Sequence, residues 1–202
     1  MALPDDICDY VSRWFDQYPR PGESVEANHA LQAREDEWLQ SFAGRGSIAQ
    51  EEAIGLVKWW LRSDEGRMAR ALAGVDDEHW PAAKVCIAEA IRVADGEGAL
   101  APLMWMGNVH GGVQGWGPTM SSVVLAACRP ARFTMADGRA LATVQALDGS
   151  LPSGHDFDFH HWEPYLAVCR QVAAECGRSL RDVYRALWAA GGNPRLPVIL
   201  IP

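Results

Sequence analysis

A glycine pair around one aromatic residue, Gly115-Trp116-Gly117, constrains the middle of this chain more than any other feature. Glycine permits positive φ and close backbone approach. Pro118 follows, suited to the first turn of a helix, where its missing N–H costs nothing. An apolar stripe then runs through Met120, Val123, Val124 and Ala127 at helical spacing. A glycine turn feeding a helix start leaves free backbone N–H groups, which attract an anion such as a nucleic-acid phosphate. The same residues also suit a tight αα-hairpin with no ligand at all. Leu100 to Met106 leads into the turn, so the unit spans about 100–128 as helix, hairpin, helix.

The rest of the chain also reads as helices. Asp5 to Gln17 carries Ile7, Tyr10, Val11, Trp14 and Phe15 at helical spacing, and Tyr18-Pro-Arg-Pro-Gly22 breaks it. Ser24 to Phe42 is a polar helix with Leu31, Trp38, Leu39 and Phe42 on one side. Ser47 and Gln50 are spaced as a capping box for a helix with Ile54, Val57, Lys58 and Leu61 on its periodic face. Asp76 to Val93 follows, with Trp80, Val85, Ile87, Ala88 and Ile91 inward. Ala140 to Leu147, Phe159 to Cys176 and Ser179 to Ala190 complete the set, the last two joined at Gly177. Asp148 to Gly154 is a loop, and the apolar tail Pro194 to Pro202 is an extended segment. The fold class expected is all-α: one helical domain over 1–202, with an N-terminal helical lobe over 1–44.

Composition narrows the function. Nearly half the residues are apolar and nine are Trp, which excludes disorder. No apolar run reaches membrane-spanning length, and no signal-peptide pattern opens the chain. Cys8, Cys86, Cys128, Cys169 and Cys176 are dispersed, which suggests free buried thiols in a reducing, cytoplasmic setting. Cys169 and Cys176 lie seven apart on one helix, but two ligands do not make a cluster site. The net charge of −8 argues against a broadly basic nucleic-acid surface. DNA binding would then need a local patch, for which Arg129, Arg132 and Arg139 are the candidates.

From Val113 to Asp137 the chain reads VQGWGPTMSSVVLAACRPARFTMAD. This run resembles the helix-hairpin-helix DNA glycosylase superfamily, the 8-oxoguanine glycosylases in particular. The resemblance implies a hairpin, carried here by Gly115, Gly117 and Thr119, that grips a DNA phosphate. It also implies a catalytic aspartate at Asp137, within Phe133-Thr-Met-Ala-Asp-Gly-Arg-Ala-Leu141. It continues more loosely through Trp162-Glu-Pro-Tyr165 and Arg185-Ala-Leu-Trp188. Bifunctional members carry a lysine two residues after the second hairpin glycine, where it forms a Schiff base; here that residue is Thr119. The implied activity is therefore monofunctional: an extruded base is excised by hydrolysis, and Asp137 stabilises the oxocarbenium-like sugar or directs water. DNA is the expected partner, and no cofactor is expected. Two alternatives remain: a non-catalytic DNA- or protein-binding module of the same fold, and an N-glycoside hydrolase acting on a small nucleoside.

Other residues invite both functional and packing readings. Trp116, Arg139 and His160 are candidate substrate or DNA contacts, with core packing favoured for Trp116. Trp59, Trp60, Trp105 and Trp162 are candidates to line a cleft and stack on a base. His110 suits a helix cap or a phosphate contact. His155-Asp-Phe-Asp-Phe-His-His161 is dense in metal-ligand types, yet it precedes a helix, where acids cap free N–H groups. Capping is the expectation there, with no metal site.

Overall fold

A computed structural model describes residues 4–20, 22–96, 98, 100–107, 111–147 and 158–191. His110, the loop at 148–154, residues 155–157 of the histidine-rich segment and the tail at 194–202 lie outside the described residues. Among the described residues there are ten helices and no strand. In order they are α1 (Ile7–Phe15), α2 (Val25–Gln40), α3 (Gln50–Trp60), α4 (Glu65–Ala73), α5 (Trp80–Val93), α6 (Leu100–Met106), α7 (Pro118–Cys128), α8 (Gly138–Leu147), α9 (Phe159–Cys176) and α10 (Leu180–Gly191).

The chain forms two compact units. Phe42–Met135 makes one; Met1–Ser41 and Ala136–Pro202 together make the other. The first holds α3 to α7. The second interleaves the two ends of the chain, α1 and α2 with α8, α9 and α10.

In the 42–135 unit α7 is the central element. Its sequence is apolar or small all the way round, and a helix of that kind must be enclosed. Every residue from Thr119 to Cys128 is buried, with α3, α5 and α6 packed on it. Ser122 stays in helical register by donating to the Thr119 carbonyl at 2.7 Å. The carbonyl of Cys128, at the end of α7, accepts from the Gly44 N–H. The helix α4 is absent from the sequence reading; Asp64 caps it by accepting from the Arg67 N–H.

Two expectations in this unit change. Glu52, not Gln50, reaches back to cap α3, accepting from the Ala49 N–H at 2.7 Å; Gln50 instead donates to the Val75 carbonyl and to Asp77. The buried face of α3 is Ala53, Leu56 and Val57, with Lys58 exposed. On α5 the buried face is Ala83, Ile87, Ala90 and Ile91, and Val85 points to solvent. Both faces are rotated by a position or so, because an apolar run wider than one stripe leaves the phase of the period undetermined.

In the interleaved unit α10 packs against α1, α8 and α9. Gly191 lets α10 approach α8 so closely that a Cβ there would overlap the Arg139 carbonyl. Thr143 of α8 donates to the Leu187 carbonyl of α10 at 2.8 Å. The inward face of α2 is polar: Asn28 donates to the carbonyls of Asp16 and Arg20, and Gln32 to those of Phe15 and Tyr18. These two amides satisfy the carbonyls of the α1–α2 connection, which burial would otherwise leave unpaired. Cys8 of α1 and Cys176 at the end of α9 form a disulfide, with Cα atoms 5.1 Å apart. The expectation of free thiols throughout is corrected for that pair. Cys86, Cys128 and Cys169 are free.

Candidate functional site

The described residues 111–117 form the turn that leads into α7. The Val113 N–H bonds the Met106 carbonyl, and the Trp116 N–H bonds the Val113 carbonyl, closing the turn. Gly115 has φ +74°, and a Cβ there would run into the Arg70 carbonyl of α4. Gly74 allows the same approach from the other side, against the Gln114 backbone. Gly115 is thus explained by packing on α4. Trp116 is 2% exposed, and its indole N–H donates to the Ala71 carbonyl at 3.1 Å. It is a packing residue of the turn, and the contact reading is corrected.

Gly117 differs from Gly115. Its φ of −110° and ψ of −173° suit any residue, and nothing lies within 4 Å of where a Cβ would stand. It is the N-cap of α7, where no side chain caps the helix. The space beside Gly117 is open, and a helix start without a capping side chain is the arrangement that suits an anion. Thr119, in the second position of α7, is buried.

Asp137 lies in the other unit, at the start of α8. Its Oδ1 accepts from the Ala140 N–H at 2.9 Å, and its Oδ2 accepts from the Tyr184 hydroxyl of α10 at 3.3 Å. Burial pushes its pKa above the ordinary carboxylate value, against the opposing pull of the Ala140 N–H, the Tyr184 hydroxyl and Arg139. Tyr184 and Tyr165 are buried phenols with their own pKa values raised, chiefly by desolvation. Sequence reasoning missed Tyr184, since no local signal links it to a residue 47 positions earlier.

The arginines are mostly committed within the protein. Arg129 clamps Asp95 with Nε at 2.5 Å and Nη2 at 2.8 Å, and also donates to the Arg45 carbonyl. Arg132 donates to the Gly96 carbonyl. Both belong to the 42–135 unit, and neither is the uncommitted surface cation that a DNA patch requires. Arg139 lies in the other unit, its guanidinium 3.7 Å from the centroid of the Trp188 ring. This cation–π contact holds the side chain over the ring.

Among the tryptophans, Trp162 is fully buried, which removes it from cleft lining. Trp59 and Trp60 contact each other with ring centroids 5.6 Å apart. Trp105 is 45% exposed and lines an open cleft of about 740 Å³ with Val85, Ala88, Glu89, Arg92 and Arg129. His160 is exposed beside Asp158, which caps α9 by accepting from the His160 N–H at 3.2 Å. No protein-family model, curated protein or solved structure matches the chain.

Proposed function

We propose that the chain is a monofunctional DNA glycosylase that excises a modified base by hydrolysing its N-glycosidic bond. The observation that carries this reading is Asp137, a part-buried carboxylate whose ionisation burial opposes, held by one hydroxyl and one backbone N–H. Carboxylates desolvated in this way are functional candidates. As the glycosidic bond breaks, the sugar gains positive charge and the Asp137 carboxylate stabilises it or orients water toward it. The N–H groups at the start of α7, reached past Gly117, hold a backbone phosphate. Thr119 offers no amine, so the lyase step of bifunctional relatives is absent. A non-catalytic DNA- or protein-binding module is the second reading, favoured by the net charge of −8 and by Thr119 at the place of the lysine.

The deciding experiment incubates the protein with a panel of modified-base duplexes, then treats them with alkali to reveal abasic sites. Strand breaks on at least one duplex, appearing only after alkali, support the reading. Salt-dependent DNA binding with no breaks on any duplex supports the binding module.

The two hairpin glycines are expected to part company under substitution. Gly115→Ala forces a side chain into left-handed backbone and into the Arg70 carbonyl, a loss of roughly 2–4 kcal/mol in stability. At Gly117 a Cβ meets no protein atom within 4 Å, so Gly117→Val should cost only about 1 kcal/mol, the penalty of valine at an N-cap, while DNA affinity falls about ten-fold or more. Thermal melts and fluorescence-anisotropy titrations at two salt concentrations check both. Unchanged DNA affinity in Gly117→Val removes the hairpin from the binding site.

A further inference from the structure

The start of α9 gathers three metal-ligand side chains that the proposed reaction does not use. Asp158 is in extended backbone, so its carboxylate folds back over the first helical turn. There its Oδ1 lies 2.8 Å from His160 Nδ1 and 2.9 Å from His161 Nδ1. The ligating atoms of all three residues fall within 4.8 Å of one another, and the two imidazole centroids are 4.3 Å apart. His161 is buried, whereas the side chains of His160 and Asp158 are 64% and 46% exposed. One ligand is thus anchored in the core, while solvent reaches the cluster from the other side.

Distances decide what such a cluster can hold. Neighbouring donors on an ion with bonds of about 2.1 Å stand roughly 3.0 Å apart in an octahedral site and roughly 3.4 Å apart in a tetrahedral one. The carboxylate–imidazole separations lie within a few tenths of an ångström of the first value. Helix capping accounts for only part of the geometry. The Asp158 N–H points at His161 Nδ1 from 3.3 Å, which needs a lone pair on that nitrogen. The 2.9 Å approach of the same nitrogen to Oδ1 needs a proton there, and one imidazole tautomer cannot supply both. An ion seated between carboxylate and imidazoles takes the His161 Nδ1 lone pair in place of the Asp158 N–H, so that ion binding releases the reach-back bond.

We propose that Asp158, His160 and His161 bind a divalent first-row transition ion, with zinc the reference case. Two imidazoles and one carboxylate match that chemistry; an oxygen-only set would favour magnesium or calcium. Three protein ligands leave positions for exchangeable water, the pattern of an open site. The positive end of the α9 dipole opposes a cation, and the Asp158 carboxylate offsets it. The site stands whether or not Asp137 performs base excision.

The test uses the full chain, prepared without a polyhistidine tag and stripped by a chelator. Zinc chloride is titrated calorimetrically, and cobalt chloride is followed by its visible absorption. One equivalent of each ion is expected to bind, with zinc raising the melting temperature. Asp158→Asn keeps a capping side chain, and His161→Gln keeps the reach-back bond. These variants and His160→Ala should each bind zinc at least ten-fold more weakly, with helical content unchanged by circular dichroism. If His161→Gln fails to fold, His160→Ala decides alone, since its side chain is exposed. Absence of zinc and cobalt binding in the folded parent overturns the proposal. So does undiminished binding in His160→Ala and Asp158→Asn.

Discussion

Asp137→Asn is expected to reduce base release by on the order of 100-fold or more without lowering the melting temperature at neutral pH. Asn caps a helix as well as Asp, so the bond from the Ala140 N–H survives. What disappears is the negative charge, which burial makes unfavourable in the folded state. A carboxyl with a raised folded pKa contributes no penalty below its unfolded pKa of about 3.9. As pH rises through the window up to its folded value, the fold loses stability, because the unfolded chain ionises more readily. The parent should therefore lose stability relative to the Asn variant across that window. Thermal melts from acid to neutral pH, beside the alkali-revealed abasic-site assay, measure both effects. An Asn variant as active as its parent sinks the catalytic assignment. A lower melting temperature at pH 7 marks Asp137 as a structural cap.

Arg185→Met should destabilise the interleaved unit by about 3–5 kcal/mol, a fall in melting temperature of roughly 10 °C. Arg185 is 1% exposed and is held by Glu35 at 2.6 Å and Asp36 at 2.9 Å, with Asp182 at 3.5 Å. It also donates to the Gln32 carbonyl at 3.4 Å. Met fills similar volume, so the loss comes from leaving the Glu35 carboxylate without its cation and Asp36 with Arg181 alone. Burial raises the Asp36 pKa, but bonds from Arg185 and Arg181 outweigh it and hold the carboxyl below its ordinary value. A depressed carboxyl stabilises the fold above its unfolded pKa and loses that contribution as pH falls through its folded value. The parent's stability should therefore drop on acidification more steeply than the variant's. Restoring neutrality with Glu35→Gln in the Arg185→Met background should recover part of the loss. A double variant no more stable than Arg185→Met would show that packing, not charge, is the cause.

The residues that were legible in advance share one property: their signals are local. The helix α9 reads from Phe159 to Cys176 because Trp162, Tyr165, Leu166, Cys169 and Val172 repeat at helical spacing, and Gly177 ends it in left-handed backbone. The helices around Gly115 and Gly117 follow from Pro118 and the apolar run behind it. Sequence alone therefore determined the all-α class of the described residues, the helices at Leu100–Met106 and Pro118–Cys128, and a helix beginning beside Asp137. Tertiary structure decided what each face meets. Gly115 is glycine because α4 passes its backbone, an approach that nothing in the local sequence records. Trp116 packs because the Ala71 carbonyl is there to accept its N–H. The polar face of α2 is buried because Arg185, 150 residues from Glu35, brings the charge that makes burial tolerable. Cys8 and Cys176 pair across 168 residues, and Tyr184 reaches Asp137 from another helix. Periodicity specifies which side chains share a face; only the packed chain supplies the partner that makes a buried charge, glycine or hydroxyl necessary.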